Sequence, residues 1–317
     1  MENQNVPISV INKRVLESLN KDNVKLAQDA ATDYTRIQIR EDSFAFKILP
    51  PEQITPEQLN RDLTERNAVI WEIEPDSPGS KWVPLQDVPT GEYITGSRYL
   101  IPMARVLTPK YVKDLAELYT YKQDIRKILT DNAIKDALAE IDRKFIQTID
   151  SITDDDAGPG TPNNFTGKVQ RLQLSGGINK ENLVEALKML PRGSKTLPGK
   201  FRLFNHVMLM NDVTAQDVLK LNAEEVSHAV VEGYWKNGLQ SDTILGAKAI
   251  FTIKDDLVPD NTIYFFAAPE FLGKCFYIDD WTMYMKKEAY FINMFSYWYG
   301  GFGIGNVAGV AKAVFEA

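Results

Sequence analysis

Two short runs of carboxylates are the residues with the most obvious chemistry. Asp154-Asp155-Asp156 and Asp279-Asp280 set acids side by side, the arrangement that holds a divalent cation or divides acid and base roles between two carboxyls. Neither has a histidine beside it, and neither follows the Asp-x-Asp-x-Asp-Gly spacing of a calcium loop, so helix-end and turn roles are expected. His206 falls in an apolar segment that reads as a strand, and His228 falls on an expected helix. With Cys275 as the single cysteine, these residues make neither a triad nor a zinc centre, and Cys275, between Lys274 and Phe276, reads as a packed strand residue. Gly303, Gly305 and Ala308 spell a Gly-x-Gly-x-x-Ala string, but residues 309–317 are too few to supply the helix, second strand and acid of a dinucleotide site. Close backbone packing or a turn is expected there instead. The aromatic run Phe291, Phe295, Tyr297, Trp298, Tyr299 and Phe302 reads as core or subunit interface. Asn164-Phe165-Thr166 fits a glycosylation acceptor only in a secreted chain. No catalytic, cofactor-binding or metal-ligating residue is assigned.

Composition narrows the classes further. The chain has 317 residues, of which 44% are hydrophobic and 25% charged, enough to bury one large core or two modest ones. A net charge of -7, with no block among the 36 basic residues, argues against a nucleic-acid reader, which needs clustered Lys and Arg. One cysteine forms no intrachain disulfide and suits a reducing compartment. No apolar run is long enough to span a membrane, and MENQNVPISV lacks a basic-then-apolar signal, so an intracellular product with no membrane partner is expected.

The elements that must carry these residues are organised around one helix. Ile134, Leu138, Ile141, Phe145, Ile149 and Ile152 recur at steps of three and four, which predicts a helix over 130–152, with Asp131, Lys135, Asp142 and Asp150 off a narrow apolar stripe. Ile125, Ile128 and Leu129 are in phase to lengthen it. Before it come an arm of about 35 residues, marked by Ile8, Ile11, Val15 and Leu19 at helical spacing, and period-two segments at 36–39 and 44–48 that read as strands. A short helix opens at Thr55-Pro56-Glu57. Two strands, 68–73 and 97–106, are joined by a Pro- and Gly-rich excursion holding Trp82, Val83, Leu85 and Val88; it far exceeds an ordinary hairpin loop of about 2 to 5 residues. Its apolar residues would be poorly buried within one subunit, so the hairpin is read as packing on a neighbour. Residues 109–118 read as the start of the helical region. After the Gly/Pro loop at 154–167 the sequence predicts a strand at 169–174, a helix at 179–190, a strand at 201–210, helices at 212–221 and 222–235, and strands at 244–253, 262–267, 273–278, 281–285 and 291–299.

This order of parts, with FRLFNHVMLMNDVTAQDVLKL, TILGAKAIFTIKDDLVPDNTIYFFAAPEFLGKCFYIDD and the closing GIGNVAGVAKA, resembles the major capsid protein of tailed bacteriophages, the Hong Kong 97-like capsid family. The resemblance covers nearly the whole chain and rests on element order more than on any short motif; the extra segment at 50–67 departs from the family's pattern. It implies an α+β fold in which 1–65 is an N-terminal arm and connecting segment and 66–107 an extended β-hairpin loop. Residues 108–200 would be a peripheral domain with its spine helix, and 201–317 an axial domain whose closing strands return to the peripheral one. It also implies a non-enzymatic function: self-assembly into hexamers and pentamers of an icosahedral shell that encloses double-stranded DNA without reading its sequence. The shell would be assembled in the host cytoplasm and located in the virion head. Ile11, Val15, Leu19, Trp71, Trp82, Val83, Leu85 and Tyr99 are the expected subunit-interface residues. Portal and cementing proteins are implied partners, and the short arm points to a separate scaffold or none. Some members join subunits by a Lys-to-Asn bond; Lys81 with Asn293 or Asn306 are the conceivable positions, and nothing in the sequence pairs them. Two rival readings remain: an encapsulin-type compartment shell of the same fold, and a cytosolic α/β enzyme using carboxylates.

Overall fold

The computed structural model describes residues 32, 33, 35, 36, 39, 42–61, 67–72, 82, 91, 98–114, 125–153, 170–193, 203–218, 243, 244 and 246–316. Its longest element is the spine helix Ile125–Thr153, 29 residues and about 43 Å at the helical rise per residue. The helix is buried over a wider arc than one stripe, because packing reaches it from two sides. Ala133, Ala137 and Ile146 are covered along with the expected Ile134, Leu138, Ile141, Phe145, Ile149 and Ile152. Asp142, expected off the stripe, is fully buried too. Four residues after Leu138 and three before Phe145, it stands on the shoulder of the same face.

The strands in chain order are β1 (Pro51–Gln53), β2 (Asn60–Arg61), β3 (Asn67–Glu72), β4 (Arg98–Pro102), β5 (Ala104–Leu107), β6 (Tyr111–Asp114), β7 (Arg171–Ser175), β8 (Val207–Asn211), β9 (Thr243–Ile244), β10 (Ala247–Thr252), β11 (Thr262–Phe266), β12 (Gly273–Glu288), β13 (Phe291–Ile304) and β14 (Val310–Glu316). They form three sheets. A six-stranded sheet runs β7-β14-β11-β8-β10-β9 and mixes parallel with antiparallel pairs. Its central strands β8 and β11 are buried on both faces, and alternation deals their side chains to two cores. Val207, Leu209, Tyr264 and Phe266 meet the spine helix, while Met208, Met210, Ile263 and Phe265 meet Leu183, Leu190, Ala215 and Val218 of the covering helices. A five-stranded sheet runs β1-β12-β13-β5, with β6 also on β13, and a small sheet runs β2-β3-β4.

Several expectations are corrected, each for a local reason. Residues 44–48, expected as a strand, are the helix Phe44–Ile48, capped where Ser43 Oγ accepts from the Phe46 amide; Arg36 and Ile39 are helical as well. Ile39, Phe44, Ala45, Phe46 and Ile48 are all buried in the spine-helix core and only Lys47 of 44–48 is exposed, so the burial does not alternate as a half-buried strand requires. Within 109–118, read as helical, lies β6, which pairs with Phe291, Ile292, Asn293 and Met294 along the free edge of β13. The strand expected over 97–106 breaks at Met103, because β4 pairs with β3 while β5 pairs with β13. The strand expected over 201–210 begins only at Val207. The helix expected over 179–190 is two, Lys180–Leu187 and Met189–Gly193, and the second runs on through Pro191 to Gly193. Conversely the strands expected at 273–278 and 281–285 are one, joined through register shifts between Tyr277 and Thr282. The opening at Thr55 is a 3-10 turn, Pro56–Gln58, held by a Thr55/Gln58 capping box. The arm helix, the loop at 154–167 and the helix expected at 222–235 lie outside the described residues.

Candidate assembly surface

The β12–β13 ladder divides the molecule's interior from the base of the hairpin. On one face of β13 Trp298, Phe302 and Ile304 enter the spine-helix core, and Cys275 and Tyr277 of β12 join them. The opposite face presents Phe276, Ile278 and Tyr299 to a smaller cluster with Ile54, Val69, Tyr99, Ile101 and Met103. That cluster is the underside of β3 and β4, whose register sets Val69 opposite Ile101 and Trp71 opposite Tyr99. Asn67 Nδ2 donates to the Tyr299 hydroxyl at 2.6 Å. The Trp71 ring lies 5.4 Å from Phe276, and the Lys274 ammonium stands 5.4 Å from the same indole while pairing with Glu52 at 2.5 Å. Alternation turns the next cross-strand pair, Ile70 and Leu100, outward, 39% and 54% exposed.

Three polar anchors hold the spine helix against this frame. Buried Asp142 accepts from Ser43 Oγ at 2.8 Å and the Ala45 amide at 3.2 Å, and pairs with Lys254 at 2.5 Å. Burial pushes its carboxyl above the ordinary value, and the Lys254 ammonium and the Ser43 and Ala45 hydrogen bonds offset part of that rise. Asp150 accepts from the Tyr264 hydroxyl at 2.9 Å and from Lys312 at 2.8 Å, tying the helix to β11 and β14. Tyr111 donates to Asp136, tying β6 to the helix.

The residues singled out for chemistry are placed in structural roles. Asp279-Asp280 lies in the irregular stretch of β12, where Asp280 Oδ1 accepts from the Trp281 amide and Arg36 approaches to 3.5 Å. Burial, with Glu52 nearby, pushes the Cys275 thiol up to about 12. His206 is exposed just before β8, and His228 and Asp154-Asp155-Asp156 lie outside the described residues. Among the described residues no group of three or more His, Cys, Asp or Glu side chains is placed to hold a metal, and no helix is long and apolar enough to cross a membrane. Asn293 Nδ2 is engaged by Glu288 at 2.6 Å, Asn306 Oδ1 caps a turn by accepting from the Ala308 amide, and Lys81 is outside the described residues. Of the expected interface residues, Trp71 is partly exposed, Trp82 wholly exposed, and Tyr99 is half-buried against its own chain. Ile11, Val15, Leu19, Val83 and Leu85 lie outside the described residues.

Comparison with solved structures settles the architecture. The capsid structure of cyanophage P-SCSP1u superposes on 87% of this chain and 88% of its own, with a TM-score of 0.60 at 11% identity. The chain has the Hong Kong 97-like capsid fold. The mature capsid of bacteriophage PhiM1 matches over 86% of this chain and 87% of its own, with a TM-score of 0.59 at 9% identity. A virus-like particle from Pyrococcus furiosus matches over 90% and 98%, with a TM-score of 0.50 at 13% identity. No protein-family profile and no curated sequence matches the chain, so the likeness is one of shape. Within the capsid fold, the departure at 50–67 resolves into two strands, β1 added to β12 in parallel and β2 added to β3. The close packing expected at Gly303 and Gly305 is present, against Ile101 and Tyr99; what the sequence reading missed is that β4 is the partner there, and the buried Asp142–Lys254 pair. The helical offset of Asp142 from Leu138 and the alternate spacing of the glycines were the available signals.

Proposed function

We propose that this chain is the major capsid subunit of a tailed phage, assembling as hexamers and pentamers into the icosahedral head shell around double-stranded DNA. The observation that carries the proposal is the capsid fold extending over most of the chain, shared with structures whose role is to form closed particles. Departing from the boundary expected at residue 200, the six-stranded sheet with its covering helices, β7 and 180–193 included, is taken as the axial domain. The spine helix and the β12–β13 ladder make the peripheral domain, and 66–107 the extended loop. The outward pair Ile70 and Leu100, with Trp71 and the fully exposed Trp82, supplies apolar surface on that loop for an adjacent copy. A subunit in a shell meets several neighbours, and specific interfaces bury about 1,200 Å² or more. The net charge of -7 suits a container, because a basic lining would hold phosphates and hinder DNA sliding inward. The arm at 1–65, a separate scaffold, a portal and cementing proteins complete the proposal, with assembly in the host cytoplasm; no catalytic step is assigned to the chain.

Light scattering on a sizing column, with negative-stain imaging of the peak, tests the reading. Capsomers of five or six subunits, tubes or closed shells are expected. A protein that stays monomeric at high concentration would overturn it, and a small closed shell that co-purifies with an enclosed enzyme would favour the compartment reading.

A further inference from the structure

Gly301, Gly303 and Gly305 recur at every second position, so they share one face of β13 and its continuation. It is the face turned to the hairpin base. A Cβ on Gly301 would collide with the carbonyl of Pro102; one on Gly303 would lie 2.9 Å from the Ile101 side chain; one on Gly305 would lie 2.5 Å from the Tyr99 ring. Successive glycines thus receive successive parts of β4, in reverse order along the strand. Gly300 points the other way, toward Trp298 and the core. Among the described residues no hydrogen-bond ladder joins β4 to β13, and β4 pairs with β3 alone. The approach of the two is fixed by shape: a channel without side chains, one aromatic ring at its end, and Met103 where the chain turns from β4 into β5.

We infer that this glycine channel is the seat that sets the direction in which β3 and β4 leave the body, which makes Gly301, Gly303, Gly305 and Tyr99 positioning residues for shell assembly. The assembly half of the inference rests on the capsid reading; the seat itself does not. A hairpin that reaches a neighbour turns a small change of angle at its base into a large displacement at its far end. A methyl group in the channel therefore alters the assembled product while leaving the subunit core intact.

Hydrogen exchange on the unassembled full-length chain tests the seat directly. In Gly305→Ala, amides of β3 and β4 should exchange faster by about tenfold, while those of the spine helix keep their protection. In a Tyr99→Ala background, where the ring that the methyl would strike is gone, Gly305→Ala should add nothing further. Unchanged exchange in β3 and β4 would overturn the inference, and so would an equal increment in both backgrounds, which a plain backbone effect of Gly305→Ala would give. Should Gly305→Ala fail to fold, Tyr99→Ala alone decides: loosened β3 and β4 over an intact spine helix support the seat, and unchanged protection overturns it. Where the parent forms shells, Gly305→Ala should give open or irregular particles, and shells of parental diameter from a loosened hairpin would refute the link to assembly. A parent that forms no shells would remove the capsid reading, and exchange would still decide whether the seat exists.

Discussion

The two faces of β13 hold their neighbours by different means. Toward the spine helix, Phe145 touches three rings at once, with centroids 6.4 Å from Phe44, 5.8 Å from Phe266 and 5.7 Å from Phe302. Toward the hairpin base, the same strand offers Tyr299 and three glycines. The first face stabilises through buried area and dispersion. The second packs a smaller buried cluster around Ile101 and Phe276, and its glycines restrict direction. The body of the subunit is therefore self-sufficient, while the hairpin base is held just firmly enough to point and keeps apolar residues on its outer side. That division suits a part whose remaining contacts come from another copy.

Substitutions on the spine-helix side should cost the subunit most. Phe145→Ala empties the centre of the aromatic cluster and should cost about 4 kcal/mol, read as a lower guanidinium midpoint of the unassembled subunit. Asp142→Ala leaves the Lys254 ammonium without its partner and strips an acceptor from Ser43 and the Ala45 amide. The expected cost is about 3 kcal/mol, at the low end for breaking a buried pair because Lys254 keeps some access to water. Asp150→Ala releases Tyr264 and Lys312 at a partly exposed site; about 2 kcal/mol is expected, by the same measurement.

The Asp142 pair also predicts a pH dependence. Because burial raises its carboxyl above the ordinary value, the folded chain keeps a proton that the unfolded chain has released. This group's contribution therefore makes stability fall as pH rises through the window between the ordinary and the raised value. Lys254→Met removes the cation that lowers the carboxyl, so the window should extend to higher pH. Midpoints measured from acidic to neutral pH for the parent and Lys254→Met check this, and parallel profiles would contradict it.

How far the fold was legible in the sequence follows from where each residue's partner lies. The spine helix was legible because its signal is its own periodicity, and the burial of Asp142 was readable from its offset to Leu138. Its partner Lys254 was not, since the two meet only when the loop after β10 folds over the helix. The alternation at 44–48 misled because every apolar residue there is buried, which removes the contrast between faces that alternation reports. β6 could not be read as a strand locally; its evidence is the open edge of β13, far along the chain. For the candidate surface, the sequence supplied Trp71, Tyr99 and the glycine string as separate residues. Only the fold lays β4 along the glycines and turns Ile70 and Leu100 outward.

On the hairpin side, one substitution should hardly affect the isolated subunit. Trp71 is 38% exposed, touches Phe276 on one side and carries Lys274 above it. Trp71→Ala removes one aromatic contact and one exposed cation–π contact, together about 1 kcal/mol of subunit stability. Its effect on assembly should be far larger, because a partly exposed tryptophan at the hairpin base, on the face opposite the outward Ile70 and Leu100, has the composition of an interface anchor, and losing such an anchor costs about 2 kcal/mol or more per contact. A shell repeats that contact at every subunit, so a modest loss at each becomes failure to close. The subunit should melt near the parent temperature yet remain as free capsomers on the sizing column. If Trp71→Ala instead unfolds the subunit as readily as Phe145→Ala does, the hairpin base is part of the core and the division drawn between the two faces of β13 is wrong.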